Sequence, residues 1–201
     1  MTANNDDVVP PLPPSAPRVK PNAFTRWLGR SVLRLGGWRV VGTLPDVSKL
    51  VLIAAPHSSN WDGIWGFAAK LALGFEARVL GKSQLFWWPL GPLLRRLGVI
   101  AIDRDAAHGT VGQAIDMIRG SDRIWFALAP EGTRKRVEHW KTGFWKIAHG
   151  AQVPILPAYF HYPEKRIGIG PLFATSGDME ADMQVLREWY RPWQGKNRGT
   201  T

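Results

Sequence analysis

The chain has 201 residues and no cysteine, so a single domain can bury a sizeable core, and disulfides, thiol nucleophiles and thiolate metal sites are excluded. Its formal net charge is +10, carried on a background that is 45% hydrophobic and includes 11 tryptophans. Such an excess needs an anionic partner: nucleic acid, anionic lipid or a phosphorylated substrate.

Residues 1–20, MTANNDDVVPPLPPSAPRVK, lack the basic start and apolar run of a secretory signal. They read as a disordered, Pro-rich leader, which assigns 21–201 to one domain. The basic charge then concentrates. Arg18, Lys20, Arg26, Arg30, Arg34 and Arg39 fall in one short stretch with no acid. Within it, NAFTRWLGRSVLRLGG (22–37) predicts an amphipathic helix. Phe24, Trp27, Leu28, Val32 and Leu35 share one face, the arginines at 26, 30 and 34 another, and Gly36–Gly37 end it. Two readings stand: the apolar face packs on the domain, or it meets a membrane interface where tryptophan and arginine are at home. Tryptophan can equally stack on bases or fill a core. No apolar run reaches the roughly 18 residues of a spanning helix.

Beyond residue 37 the pattern alternates. WRVVGTL and KLVLIAA read as strands, DGIWGFAAKLALG as a helix, EARVLG as a strand and PLGPLLRRLG as a short helix. VIAID is a strand, AHGTVGQAIDMIRG a helix, RIWFALA a strand, KTGFWKIAHGA a helix, VPILPAYF and RIGIG strands, and DMEADMQVLREWYRP a closing helix. Strands alternating with helices predict an α/β fold: a single domain with a largely parallel central sheet flanked by helices.

Candidate chemistry gathers where strands end. His57 and Asp62 stand between KLVLIAA and the next helix. A histidine is the natural base near neutral pH, and a carboxylate on its other nitrogen fixes its tautomer. Asp62 also falls in the first helical turn, where the helix dipole favours its ionised form, so helix capping alone would equally explain it. After RIWFALA come Glu131, Gly132, Thr133 and Arg134. In a parallel sheet that loop opens on the same side as His57. Gly132 permits a tight turn, and Arg134 offers a forked phosphate contact, with Lys135 and Arg136 adding charge. Lys82 and Arg104 lie near two further strand ends and could join Arg134 in a phosphate site, whereas Arg95 and Arg96 read as helix surface. Pro154 and Pro157 suggest an extended turn near the site. His108, His139, His149 and His161 show no ligand spacing, so no metal is expected. The Gly-x-Ser-x-Gly elbow of many hydrolases is absent, and Ser58 is a weaker candidate nucleophile.

In this order the blocks resemble the lysophospholipid and glycerol-phosphate acyltransferase family, whose type member is 1-acyl-glycerol-3-phosphate acyltransferase. His57 to Asp62 is similar to its His-x4-Asp motif. Lys82, Gly98 and Arg104 lie in a stretch similar to its second block, PEGTR (130–134) to its third and VPILP (153–157) to its fourth, the likeness covering roughly residues 38–170. The resemblance implies that His57 takes the proton from an acceptor hydroxyl and that Asp62 orients it. It implies that Lys82, Arg104, Glu131, Gly132, Thr133 and Arg134 bind the acceptor phosphate. The hydroxyl then attacks an acyl thioester, of coenzyme A or acyl carrier protein, with no further cofactor. Backbone N–H groups at the helix start could hold the oxyanion. The expected acceptor is a lysophospholipid, first of all 1-acyl-glycerol-3-phosphate.

Many members of that family begin with membrane-spanning helices. Here only the basic amphipathic helix stands in that place, which leads to the expectation of a cytoplasmic, peripheral protein on the inner face of the cell membrane. The arginine stripe would meet anionic headgroups, and Phe86, Trp87 and Trp88 the interface. Acylation of a lyso-aminolipid or glycolipid fits the same motifs. A non-catalytic basic module for membrane or nucleic acid is the competing class, but a histidine–carboxylate pair facing a Glu-Gly-Thr-Arg loop has no use in simple binding, so no nucleic acid is expected.

Overall fold

A computed structural model describes residues 8–20, 22–82, 86–102, 109–135 and 137–199. In chain order the elements are α1 (Ala23–Gly36), β1 (Arg39–Val41), β2 (Lys49–Ala55), α2 (Asn60–Leu73), β3 (Ala77–Lys82), α3 (Leu90–Arg96) and β4 (Val99–Ile102). There follow α4 (Gly109–Gly120), β5 (Ile124–Leu128), α5 (Gly143–Ala151), β6 (Ile155–His161), β7 (Arg166–Ile169) and α6 (Met179–Tyr190). The seven strands form one sheet in the order β1-β7-β6-β2-β5-β3-β4. Strands β2 to β6 run parallel, β7 is antiparallel to β6, and β1 follows β7. The α/β expectation therefore holds, with one reversed edge.

The central strand explains the layering. In β2 successive side chains alternate between faces, and both faces are buried. Leu50 joins Leu33, Ala68, Ala72, Trp125 and Leu156 under α1 and α2. Val51 and Ile53 join Ile118, Phe126, Phe144, Ile155 and Leu186 under α4, α5 and α6. A strand buried on both sides reads as an unbroken apolar run, which is why KLVLIAA was legible. Tyr190, fully buried at the end of α6, ties the second layer to the sheet: its hydroxyl lies 2.8 Å from the carbonyls of both Ile53 and Ala158.

Helix α1 turns the face opposite to the one its hydrophobicity suggests. Gly29 and Leu33 are buried, Arg26 and Arg30 are half-buried, and Phe24, Trp27 and Leu28 are exposed, with Leu35 90% exposed. The reason is close approach. A Cβ on Gly29 would lie 2.5 Å from the Ala72 nitrogen and 2.6 Å from the Ala68 carbonyl oxygen, and one on Gly36 would meet the Trp65 ring at 2.4 Å. Small residues on both helices let the backbones touch, and that contact decides which side of α1 is buried. The arginine stripe is thus only partly exposed at positions 26 and 30. Arg34 remains exposed.

The disordered-leader expectation also needs correcting for residues 8–20. Val9 and Ala16 are buried in the first core cluster. The Val40 N–H donates to the Val8 carbonyl at 2.8 Å, Ser15 N–H to Asp46 Oδ1 at 2.7 Å, and Glu76 N–H to the Pro17 carbonyl at 2.9 Å. Arg123 reaches the Pro14 carbonyl at 2.8 Å. Prolines lose little entropy on ordering and leave no N–H to satisfy, so a Pro-rich segment can lie on a core without secondary structure. Residues 1–7 lie outside the described residues. Of the tryptophans, Trp38, Trp125, Trp140 and Trp145 are buried, while Trp27, Trp61, Trp87 and Trp88 face outward. Among the described residues no helix is long and apolar enough to cross a membrane.

Replacing Gly29 by Ala forces α1 off α2. The variant should lose about 1–3 kcal/mol of stability, read as a lowered urea midpoint with an unchanged m-value. Wild-type stability would show that the two backbones are not in contact.

Candidate active site

Parallel pairing sets β2 between β5 and β6, with Ile53 opposite both Leu128, the last residue of β5, and Pro157. The loops that follow β2 and β5 are therefore neighbours, as their sequence positions predicted. Pro154 and Pro157 do not form the expected turn: Pro154 directly precedes β6, and Pro157 is the third residue of that strand, paired level with Ile53 of β2.

The first loop is built around Asp62. Ser59 caps α2 in a capping box with Asp62, and Asp62 Oδ2 accepts the N–H groups of Ser58 and Ser59, both at 2.8 Å. The same oxygen lies 3.3 Å from His57 Nδ1, and Oδ1 accepts the Tyr162 hydroxyl at 2.6 Å. The Asp62 side chain has no exposed surface, whereas that of His57 is 30% exposed. Capping and orienting the histidine are both served by one group. Burial alone would raise the Asp62 pKa; hydrogen bonds from His57, Tyr162, Ser59 and Ser58 outweigh it and hold the carboxyl below its ordinary 3.8. An ionised carboxylate at Nδ1 keeps a proton there and leaves Nε2 of the neutral ring with its lone pair.

Tyr162, just beyond β6, had no signal in the sequence. Burial and the Asp62 charge push its hydroxyl far above the usual range, so it stays a donor. Its ring meets Trp38 edge-on at 4.8 Å, and Trp38 stacks on Trp65 at 5.3 Å, so an aromatic column fixes the hydroxyl's aim.

The second loop turns at Gly132, whose φ of 66° is the left-handed region that favours glycine. The Gly132 N–H bonds the Ala129 carbonyl at 3.1 Å, and the Lys135 N–H bonds Thr133 Oγ1 at 3.3 Å. Glu131 points inward, buried, and its Oε2 accepts the His57 backbone N–H at 3.2 Å. Burial raises its pKa; Arg198 and His57 pull the other way without cancelling the rise. Arg198 Nη2 lies 2.8 Å from Glu131 Oε2. Glu131 is thus engaged by the protein itself, while Arg134 is exposed beside it. Lys82 ends β3 at the same edge of the sheet, opposite Ile102 of β4. Arg104 lies outside the described residues. Among the described residues no cluster of three or more His, Cys, Asp or Glu side chains gathers as a metal site.

Replacing Tyr162 by Phe removes a donor to a charged acceptor, so stability at neutral pH should fall by about 1.5–3 kcal/mol. The sign with pH follows from the lowered pKa. Asp62 stabilises the fold above its unfolded value, and the contribution fades as pH falls through the folded one. The gap between wild type and variant in urea denaturation should therefore narrow below about pH 4. A gap of constant size would mean that the hydroxyl does not serve the carboxylate.

The comparisons with known proteins agree with this architecture. The family model described as Acyltransferase matches residues 39–161, more than half of the chain. Among solved structures, the crystal structure of the 1-acyl-sn-glycerophosphate (LPA) acyltransferase PlsC from Thermotoga maritima is similar, with a TM-score of 0.59 at 17% identity. The match covers 86% of this chain and 80% of that one, and at that identity it speaks to the fold. No curated protein matches the chain. With the matched region running from β1 through β6, and so through both loops of the site, the chain belongs to the acyltransferase family.

Proposed function

We propose that the protein transfers a fatty acyl group from a thioester, of coenzyme A or acyl carrier protein, to the free hydroxyl of a lysophospholipid. The observation that carries this reading is His57, held at Nδ1 by buried Asp62 and partly open to solvent, beside the Glu131–Arg134 loop. Nε2 accepts the acceptor's hydroxyl proton as its oxygen attacks the thioester carbonyl carbon. The tetrahedral oxyanion collapses, the C–S bond breaks, and the thiolate leaves with the proton from the imidazolium. An ester and a free thiol result. The thioester is already activated, so no acyl-enzyme intermediate is needed. Exposed Arg134 is suited to bind the acceptor phosphate, with Lys82 and Arg104 as further candidates. The printed activity of the Thermotoga structure makes 1-acyl-glycerol-3-phosphate the acceptor to test first.

The reading includes docking on a membrane surface, through Phe24, Trp27, Leu28 and Leu35 rather than the arginine stripe. Helices α1 and α2 cross with Gly36 beside Trp65 and Gly29 beside Ala68 and Ala72, which brings the Leu35 end of α1 near the first turn of α2. Exposed Trp61 and Ile64 lie at that same end of α2. Apolar side chains beside a charged site suit an enzyme whose acceptor lies in a lipid layer.

The assay is acyl transfer to 1-acyl-glycerol-3-phosphate in vesicles, with acyl-CoA and acyl carrier protein as parallel donors. His57→Ala should lower turnover by about 10²–10⁴-fold with the fold retained. Equal product from both proteins would remove His57 from the chemistry. No product from folded wild type would direct the search to lyso-aminolipid or glycolipid acceptors. Separately, Phe24→Ser with Trp27→Ser should weaken co-sedimentation with anionic vesicles by about tenfold or more, since each buried ring contributes roughly 1.5–3 kcal/mol. Unchanged co-sedimentation would place the docking surface elsewhere.

A further inference from the structure

The segment after α6 doubles back over the site. Gln194 and Gly199 form a β-bridge, and the Gly195 N–H donates to the Arg198 carbonyl at 2.9 Å. The turn is anchored on β6 and its end: Trp193 stacks on Tyr159 at 3.7 Å, and the Tyr162 N–H donates to the Gln194 carbonyl at 2.9 Å. From there it reaches the loop after β2. Asn197 Nδ2 donates to the Ser58 carbonyl at 2.7 Å, and the Asn197 N–H to Ser58 Oγ at 3.3 Å. Gly195 fits because a Cβ there would lie 2.6 Å from Ser58 Oγ.

Arg198 spans the gap between the two loops. Nη2 lies 2.8 Å from Glu131 Oε2, 2.8 Å from the Lys135 carbonyl and 3.3 Å from the His57 carbonyl. Nη1 donates to the Gly199 carbonyl at 3.0 Å and lies 3.5 Å from Glu131 Oε1. The side chain is 17% exposed. One planar guanidinium thus holds the carboxylate that accepts the His57 N–H and the backbone on both sides of the site. We infer that Arg198 is a positioning residue: it fixes the His57 loop against the Glu131–Arg134 loop, so that the base sits in register with the acceptor, without touching substrate itself. Asn197 assists by holding Ser58. This rests on the acyl-transfer reading above. It adds that the geometry of the base is set by a segment about 140 residues further along the chain, as the separation of Arg198 from His57 shows.

The test uses the full chain with Arg198→Ala, Arg198→Lys, Glu131→Gln and the Arg198→Ala/Glu131→Gln double variant. Two readouts are taken: kcat and KM for both substrates, and hydrogen exchange of the peptide spanning residues 56–62. Misplacement of a base by about 1 Å costs about 10²-fold, so Arg198→Ala should lose about that factor in kcat, with both KM values within about threefold. Lysine keeps the charge but not the fork and should recover only part of the loss. It also keeps the test open if the alanine variant does not fold. Because Arg198 and Glu131 hold the same loop in one hydrogen-bonded network, the double variant should lose less than the product of the two single losses. Exchange at 56–62 should rise in Arg198→Ala while that of β5 stays as in wild type. Wild-type kcat, a loss confined to KM, fully multiplicative effects or unchanged exchange at 56–62 would each overturn the inference. If wild type transfers no acyl group to any acceptor, the acyl-transfer reading falls instead, and exchange alone still decides whether Arg198 holds the loop.

Discussion

One buried carboxylate organises the site. Asp62 receives the N–H groups of Ser58 and Ser59, the Tyr162 hydroxyl and the His57 ring within a single hydrogen-bonded cluster. A charge with no solvent contact is costly unless hydrogen-bonded from several sides, and here the donors come from the loop, from the helix start and from the far end of β6. Folding the loop and orienting the His57 ring are therefore one event. Whatever satisfies Asp62 also fixes which nitrogen of His57 carries its proton.

A second carboxylate lies on the other side of the same histidine, with the opposite tendency. Asp62 takes its donors to the side chain of His57 and sits below its ordinary pKa, whereas Glu131 takes the backbone N–H of His57 and sits above its own. The difference is in the donors. Asp62 has several, together with the positive end of α2, while Glu131 is buried against one guanidinium and one amide. The histidine is thus gripped at ring and backbone by two acids of unequal character, only one of which is well stabilised as an anion.

How much of this was legible depended on distance along the chain. Strands and helices were read from local periodicity, and the elements fall where KLVLIAA, RIWFALA and their neighbours put them. His57 and Asp62 are five residues apart, and PEGTR is contiguous, so both showed as motifs. Tyr162 and Arg198 reach their partners across 100 and 67 residues, and a lone tyrosine or arginine carries no mark of such a partner. Two errors had the same origin, in judging a segment by polarity alone. Helix α1 is oriented by Gly29 and Gly36, which have no hydropathy to read, and residues 8–20 order because proline lowers the cost of ordering while a few apolar residues among them, Val9 and Ala16, are buried in the core.

The reversed edge of the sheet bears on how such a chain could vary in length. After β6 the backbone turns at once into β7: the Lys165 N–H bonds the Tyr162 carbonyl at 3.2 Å, and Lys165 takes a φ of 51°. A parallel strand would have been followed by a long crossover, with slack to absorb added residues. The hairpin has none, and Tyr162 stands at its first corner. Insertions between β6 and β7 would swing the hydroxyl away from Asp62, whereas the segment between β7 and α6 is held at the opposite end of β6, where Phe173 bridges Ile155. Within the sheet, then, the shortest connection is the one that evolution would be least free to lengthen.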